Sequence, residues 1–393
     1  MLSHYTVLEV GDYVAVPYAG KLLADCDAEV IKVEPPDGDS ARRVAPFVSG
    51  DGRSESAVFG YLNTSKRSLT LAESSDRAPE LLEELIETLG VDLVVEDRLD
   101  AYGLDARELQ TRHDGLTVVS VTGFGSDGPF ADYSAPEIVA MAESGQMNKM
   151  GYPGEPPLRP RVKSADYWAG QHAAIGGLAS LLSRDLQDDS GQHVDVAARD
   201  VAITYMEGFV AGFSWSGACT ERTGLGYPDQ DGQPGLPALY ETADGYISAA
   251  VSDARWGTFC EDVLERPELT SDERFSTPEA RLENLPELRD VVESYTGEQD
   301  KWALFEEFQA NGIPCGIVQT PTELLEFDHL HDREFWVDLE LPNGETVTSP
   351  GFPFRVDGSP VPMGSPPALG EDNELYDELE RDRTRLAASG VIR

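Results

Sequence analysis

Basic charge is what this chain has least of. Its 30 lysines and arginines face 72 acidic residues, for a formal net charge of −42, and only six of the cations are lysines: Lys21, Lys32, Lys66, Lys149, Lys163 and Lys301. Phosphate backbones are bound by basic faces, so nucleic acid is excluded as an expected partner. Cysteine is also sparse. Cys26, Cys219, Cys260 and Cys315 are far apart with no CxxC pair, which signals neither a zinc site nor a disulfide framework. Long apolar runs are missing too. The longest, over residues 173–182, is about half of the ~20 residues that a membrane span requires, and the N-terminus shows no basic segment followed by an apolar stretch. The expectation is a soluble, cytoplasmic protein without a membrane partner. A GxSxG elbow and a Walker loop are both absent, which argues against a serine hydrolase of that type and a nucleoside triphosphatase.

What is present points to a globular protein of two or three domains. Apolar residues make up 40% of 393 positions and charged residues 26%, too balanced for a disordered or collagen-like chain. The acids are spread along the chain. An acid-rich, lysine-poor surface suits molar salt, which screens self-repulsion within about 3 Å at 1 M. An ordinary acidic protein is the alternative reading.

Residues 5–135 alternate strand-like and helical patterns, the signature of βαβ units and a parallel sheet. The segments TVLEV, AEVIKVE, VDLVVED and LTVVSVTG read as strands, and PYAGKLLADC and APELLEELIETLG as helices, the second with Leu81, Leu82, Leu85 and Leu89 at helical spacing. A long helix is expected from Asp166, with Trp168, Ile175, Leu178 and Leu182 on one face and Gly170, Gly176 and Gly177 allowing close approach; HVDVAA then reads as a strand. Residues 221–237, rich in Gly, Pro, Asp and Gln, read as a loop or linker, and 238–325 as a separate strand-plus-helix unit. The fold class expected is α/β: a large Rossmann-like domain from residues 1–215 and 326–393, a linker at 216–237, and a smaller inserted α+β domain at 238–325.

Three local constellations could carry chemistry. Gly123-Phe124-Gly125-Ser126-Asp127-Gly128 is a literal GxGxxG after a strand, but Pro129 follows at once and no acidic residue stands near position 148, so a dinucleotide site is not expected. His329 and His331 sit in DHLHD without a second ligand cluster, so no metal is expected. Asp166, preceded by Arg159, Arg161 and Lys163, reads either as a helix N-cap or as a nucleophile held ionised by cations and the helix dipole. The three cations alternate along a segment taken as extended, which would place them on one face near Asp166.

The residues also carry a resemblance. LLADCDAEVIKVEPPDGDSARR is similar to the LADxGAxVIKVERPxGDxxR of the family III CoA-transferases, a family that includes formyl-CoA and carnitine-CoA transferases and the α-methylacyl-CoA racemases. Asn63 with Lys66-Arg67-Ser68-Leu69 resembles its NxxKRSxxLD, TGFGSDGP its TGxGxxGP, ADYWAGQHAAIGGLASLLSR the helix of its nucleophilic Asp, and GIPCGIVQTPTEL and PPALGEDN its late motifs. The likeness spans nearly the whole length.

That resemblance implies an enzyme that moves CoA between an acyl-CoA and a free carboxylic acid through an aspartyl-CoA intermediate on Asp166. It implies coenzyme A as part of the substrate, with no separate cofactor, and an interlocked homodimer. By the same resemblance Glu137 lines the site, and Gly232-Gln233-Pro234-Gly235 is a mobile loop shielding the intermediate from water. The CoA-binding candidates are Val14, Ala15, Arg42, Lys66, Arg67 and Asp97; the substrate-binding cations are Arg159, Arg161 and Lys163. The chain departs from the family at Pro35, where an Arg that contacts CoA phosphate is usual, and at Pro136, where the racemases carry a His. A racemase is therefore the second reading and a non-catalytic CoA-binding protein the third. Succinyl-CoA as donor and mesaconate as acceptor are the expected substrates.

Overall fold

The computed structural model describes all residues except 51–52, 188–189, 218, 220, 221, 223, 225, 229–233, 238 and 380–382. The chain divides into two compact units, one formed by Met1–Ser144, Pro160–Tyr205 and Asp328–Arg393, the other by Gly145–Arg159 and Met206–Phe327.

The first unit is built on six parallel strands: β1 (Thr6–Val10), β2 (Glu29–Glu34), β3 (Arg67–Thr70), β4 (Leu93–Glu96), β5 (Thr117–Thr122) and β6 (His193–Ala197). Their order is β3-β2-β1-β4-β5-β6, the doubly wound arrangement that runs out from the middle strand in both directions. Leu8 stands between Ile31 and Val94 in register, and all three are completely buried. Strands covered on both faces read as continuous apolar runs, which is why these segments were legible. Helix α2 (Ala78–Leu89) buries Leu81, Leu82, Leu85 and Ile86 into that core and stops at Gly90, whose φ of 61° is a left-handed cap.

The middle of the sheet also buries charge. Glu9 on β1 pairs with Lys32 at 2.7 Å and Lys66 at 2.6 Å, and Lys32 reaches Asp39 at 2.7 Å, with every one of these side chains nearly inaccessible to water. Helix α1 (Ala15–Ala24) closes over this cluster at Gly20, where a methyl group would lie 1.9 Å from Glu9 Oε2. Removing one member of such a network leaves an uncompensated buried charge, at a cost of about 3–5 kcal/mol.

The returning segment protects the sheet edge. Asp372 accepts from Ser68 N at 2.9 Å and Asn373 Oδ1 from Thr70 N at 2.9 Å, so side chains of the closing LGEDN motif satisfy donors on edge strand β3. The buried Tyr376 hydroxyl donates to Thr70 O at 3.1 Å. Trp336–Glu340 and Thr346–Pro350 form a hairpin that turns at Gly344, with φ of 81°.

In the second unit, antiparallel strands β7 (Leu239–Thr242), β8 (Gly245–Ala249) and β9 (Cys315–Ile317) pack with helices around Tyr240, Ile247, Phe259, Leu304 and Phe308. Within the stretch read as a loop, Gly226–Pro228 and Pro234–Pro237 pair as a short antiparallel ribbon. No described helix is long and apolar enough to cross a membrane.

Candidate active site

The site grows from the contact between α1 and the long helix α4 (Ser164–Gln187). The apolar stripe of Trp168, Ile175, Leu178 and Leu182 is not the buried one: Ile175 is 62% and Leu182 56% exposed. Instead α4 buries a face of small residues, including Ala165, Ala169, Gly170, Ala173 and Gly177. A methyl at Gly170 would lie 2.4 Å from Ala15 O, and one at Gly177 3.1 Å from Leu93. Small side chains let α4 lie directly on α1 and on the sheet, and this fixes where its first turn sits.

Asp166 lies inside that first turn. It is not the N-cap, because the helix begins two residues earlier at Ser164. Its carboxylate is therefore free of the capping duty that the sequence suggested. The side chain is 20% exposed, with Lys163 Nζ 4.0 Å from Oδ2. Burial pushes its pKa up to about 6; the Lys163 charge works against that shift and the Glu137 charge adds to it. A carboxyl poised near neutrality has more proton affinity and more nucleophilic character than an exposed Asp.

Glu137 is the first residue of α3 (Glu137–Glu143), which follows directly after Pro136. Its side chain is buried, and Oε1 has no hydrogen-bond partner among the described residues. Buried carboxylate oxygens are rarely left unpaired, so this atom is suited to a donor supplied by a substrate. Aromatic rings stand beside Asp166 and Lys163: Tyr18 meets Tyr167 edge-on at 4.8 Å, and the Lys163 ammonium lies 4.6 Å above the Tyr13 ring. Tyr13 carried no signal in the sequence. Only the loop at the carboxyl end of β1 brings it here, with its N–H donating to Asp39 Oδ1 at 3.1 Å.

The other candidates are dispersed. The segment before α4 bends at Arg161 and Val162 and Ser164 N donates to Val162 O, so Arg159, Arg161 and Lys163 do not form an extended three-cation face. Arg161 is exposed, and Arg159 belongs to the second unit. Val14 is the buried N-cap of α1 and Ala15 its first residue. Arg42 is held by Glu34 through two bonds of 2.7 Å and lies over Phe59 at 3.6 Å. The Lys66 ammonium is buried, donating to Pro17 O, Leu62 O and Asn63 Oδ1, and Arg67 bridges Glu29 and Asp372. Burial lowers the Lys66 pKa to about 8, desolvation outweighing the attraction of Glu9 and the Lys32 charge adding to the drop. All three cations are thus committed to internal acids. Asp97 follows β4, its carboxylate accepting from Asp12 N at 3.5 Å. Gly232 and Gln233 lie outside the described residues, and Gly235 falls in the Pro234–Pro237 strand of the second unit.

The glycine motif has a packing role. A methyl at Gly123 would lie 2.2 Å from Ala135 Cβ, Gly125 N donates to Thr122 Oγ1 at 2.8 Å, and Ser126 is tied to Asp195 through both N and Oγ. No helix starts within these glycines, so the loop is no pyrophosphate cradle. A cleft of about 690 Å³ opens beside it, lined by Phe124, Phe130, His172, Ile175, Asp195 and Arg199 among others, but neither Asp166 nor Glu137 reaches it.

Comparison with known proteins puts names beside this geometry. The family model described as CoA-transferase family III matches residues 2–373. The chain is 32% identical to the formyl-CoA:oxalate CoA-transferase of Streptomyces avermitilis, over 100% of this chain and 99% of the relative. It is 31% identical to the succinyl-CoA:mesaconate CoA-transferase of Haloarcula hispanica, over 96% of each. A solved CAIB/BAIF family protein from Brucella suis superimposes with a TM-score of 0.85 at 29% identity, over 96% of this chain and 99% of the other.

Proposed function

The chain belongs to CoA-transferase family III, and on that premise we propose that Asp166 is the group that carries the acyl and CoA moieties in turn. The Asp166 carboxylate attacks the thioester carbonyl of the donor. The C–S bond breaks, CoA leaves as its thiolate, and a mixed anhydride forms. The thiolate then attacks the aspartyl carbonyl, releasing the donor acid and leaving an aspartyl-CoA thioester. The acceptor carboxylate repeats both steps in the opposite sense, so the enzyme ends with a free carboxylate and no net redox change.

One observation carries this reading: a carboxyl raised to about 6 in the first turn of a helix, beside a second buried carboxylate with an oxygen to spare. Glu137 Oε1 is suited to accept from a donor on the bound acyl-CoA. The acids are proposed to be short dicarboxylates, with succinyl-CoA and mesaconate as the preferred pair. The relatives' names as formyl-CoA:oxalate and succinyl-CoA:mesaconate CoA-transferases support that class. The acid-rich, lysine-poor composition supports action in molar salt. A homodimer is proposed from the same kinship. Racemisation is disfavoured by Pro136, which offers no proton-transfer group ahead of Glu137.

Intact-protein mass tests the core of this. Incubation with donor acyl-CoA should add one covalent CoA to the wild type and none to Asp166→Ala, and hydroxylamine should inactivate the enzyme only when donor is present. An adduct that persists in Asp166→Ala would overturn the assignment.

A further inference from the structure

We propose that Lys163, propped on the ring of Tyr13, is the residue that selects acyl groups carrying a second carboxylate, and that its reach sets their length. The inference rests on the reading of Asp166 as the nucleophile. The first observation is charge balance. In the resting site the Asp166 carboxylate and the Lys163 ammonium stand 4.0 Å apart. Acylation converts that carboxylate to a neutral anhydride or thioester, and the ammonium loses its counter-ion in a site only partly open to water. An acyl group that brings its own anion restores the pair; an uncharged acyl chain does not.

The second observation is that the ammonium is held in place. It sits 4.6 Å above the Tyr13 ring. Tyr13 itself adopts φ of 69°, a left-handed conformation that a bulky side chain seldom takes. Its backbone N–H is bonded to Asp39, whose carboxylate is ion-paired with the buried Lys32. Strain of this kind persists only where the surroundings enforce it, and here its result is to present the ring beneath the Lys163 cation. Arg161, by contrast, is exposed.

Length follows from the distances. A carboxylate oxygen paired with Lys163 at about 2.8 Å can be no farther than about 6.8 Å from Asp166 Oδ2. An extended carbon chain advances roughly 1.25 Å per bond, from C–C bonds of about 1.52 Å and angles near 111°. From the attacking oxygen to the far carboxylate oxygen, an oxalyl group spans three bonds and a succinyl group five, roughly 3.8 and 6.2 Å. A glutaryl group at roughly 7.5 Å must bend, and an adipyl group at roughly 8.8 Å must fold back on itself. The site therefore favours diacids of two to four carbons.

The test compares matched donors: succinyl-CoA against butyryl-CoA, and adipyl-CoA against hexanoyl-CoA, with the rate of covalent loading read by intact mass as kcat/KM. The wild type should prefer succinyl over butyryl strongly and adipyl over hexanoyl little. Lys163→Met, which keeps the stem over Tyr13 and removes the charge, should cut the succinyl/butyryl ratio roughly 10- to 100-fold, and Lys163→Arg should restore most of it. Tyr13→Leu should lower the ratio less. A ratio unchanged in Lys163→Met, or an adipyl preference as strong as the succinyl one, overturns this proposal alone. Absence of any adduct on the wild type with all four donors overturns the reading of Asp166, and this proposal with it.

Discussion

Replacing Asp166 by asparagine should abolish transfer and, at neutral pH, make the folded protein more stable. Burial sets the Asp166 pKa at about 6 against an ordinary aspartate value of 3.8, so the native state binds this proton more tightly than the unfolded chain does. Such a group favours the fold fully below about pH 4, and the contribution disappears as pH rises through 6; above that, the ionised carboxylate sits in a site that disfavours its charge. At 1.36 kcal/mol per pH unit, a shift of about two units corresponds to ~3 kcal/mol. The side chain is 20% exposed, and screening by water brings the expectation to about 1–3 kcal/mol. Asparagine has no charge to desolvate, and the Lys163 attraction it forgoes is already contained in the net shift. In a body of about 250 residues this corresponds to roughly 2–8 °C in Tm. Melting curves of wild type and Asp166→Asn between pH 5 and pH 8, in molar KCl, should show the variant ahead at pH 8 and the gap closing as pH falls through 6. A variant no more stable at pH 8, or a gap that does not change with pH, would refute the claim that burial raises this carboxyl.

The same shift sets the kinetics: covalent loading by donor acyl-CoA should rise with pH through about 6, because only the ionised carboxyl attacks, and a rate flat between pH 5 and 7 would contradict it. Gly170→Val should cost about 1–3 kcal/mol and slow loading, since its side chain collides with Ala15 O, 2.4 Å from where a methyl would stand; unaltered melting and kinetics would show that α1 and α4 are not in close contact. Lys66→Met should destabilise by about 3–5 kcal/mol by removing one of the two buried ammonium groups that neutralise Glu9, without changing KM for acyl-CoA in whatever folds; a raised KM at intact stability would instead make Lys66 a CoA ligand. Activity should decline as KCl drops below roughly 0.5 M, where the screening length exceeds about 4 Å, and full activity in dilute buffer would dismiss the salt-adapted reading.

Much of the architecture could be read without coordinates. Strands β1, β2, β4 and β5 announce themselves because a parallel strand covered on both faces is apolar along most of its length, and α2 because its leucines recur at helical spacing. Asp166 stood out as a candidate for a different reason: the motif around it is local in sequence. The helix face was not legible. Hydrophobicity alone put Ile175 and Leu182 inside, whereas the packing distance to α1 and the sheet demanded Ala and Gly there.

The sequence by itself determined the Rossmann-like parallel sheet and singled out Asp166 as the candidate nucleophile, because periodicity and contiguous motifs encode them in neighbouring residues. Tertiary structure alone decided the fate of each charge. Arg42, Lys66 and Arg67 look alike in a sequence as available cations, but Glu34, Glu9 and Asp372 neutralise them through contacts of 2.6 to 2.8 Å, one of them across 305 positions. Lys163, one cation among three in a short run, is the one that stands against both Asp166 and Tyr13, the latter 150 positions away in the chain. Pairing energy depends on separation in space and on exclusion of water, and neither quantity is written in the order of the residues.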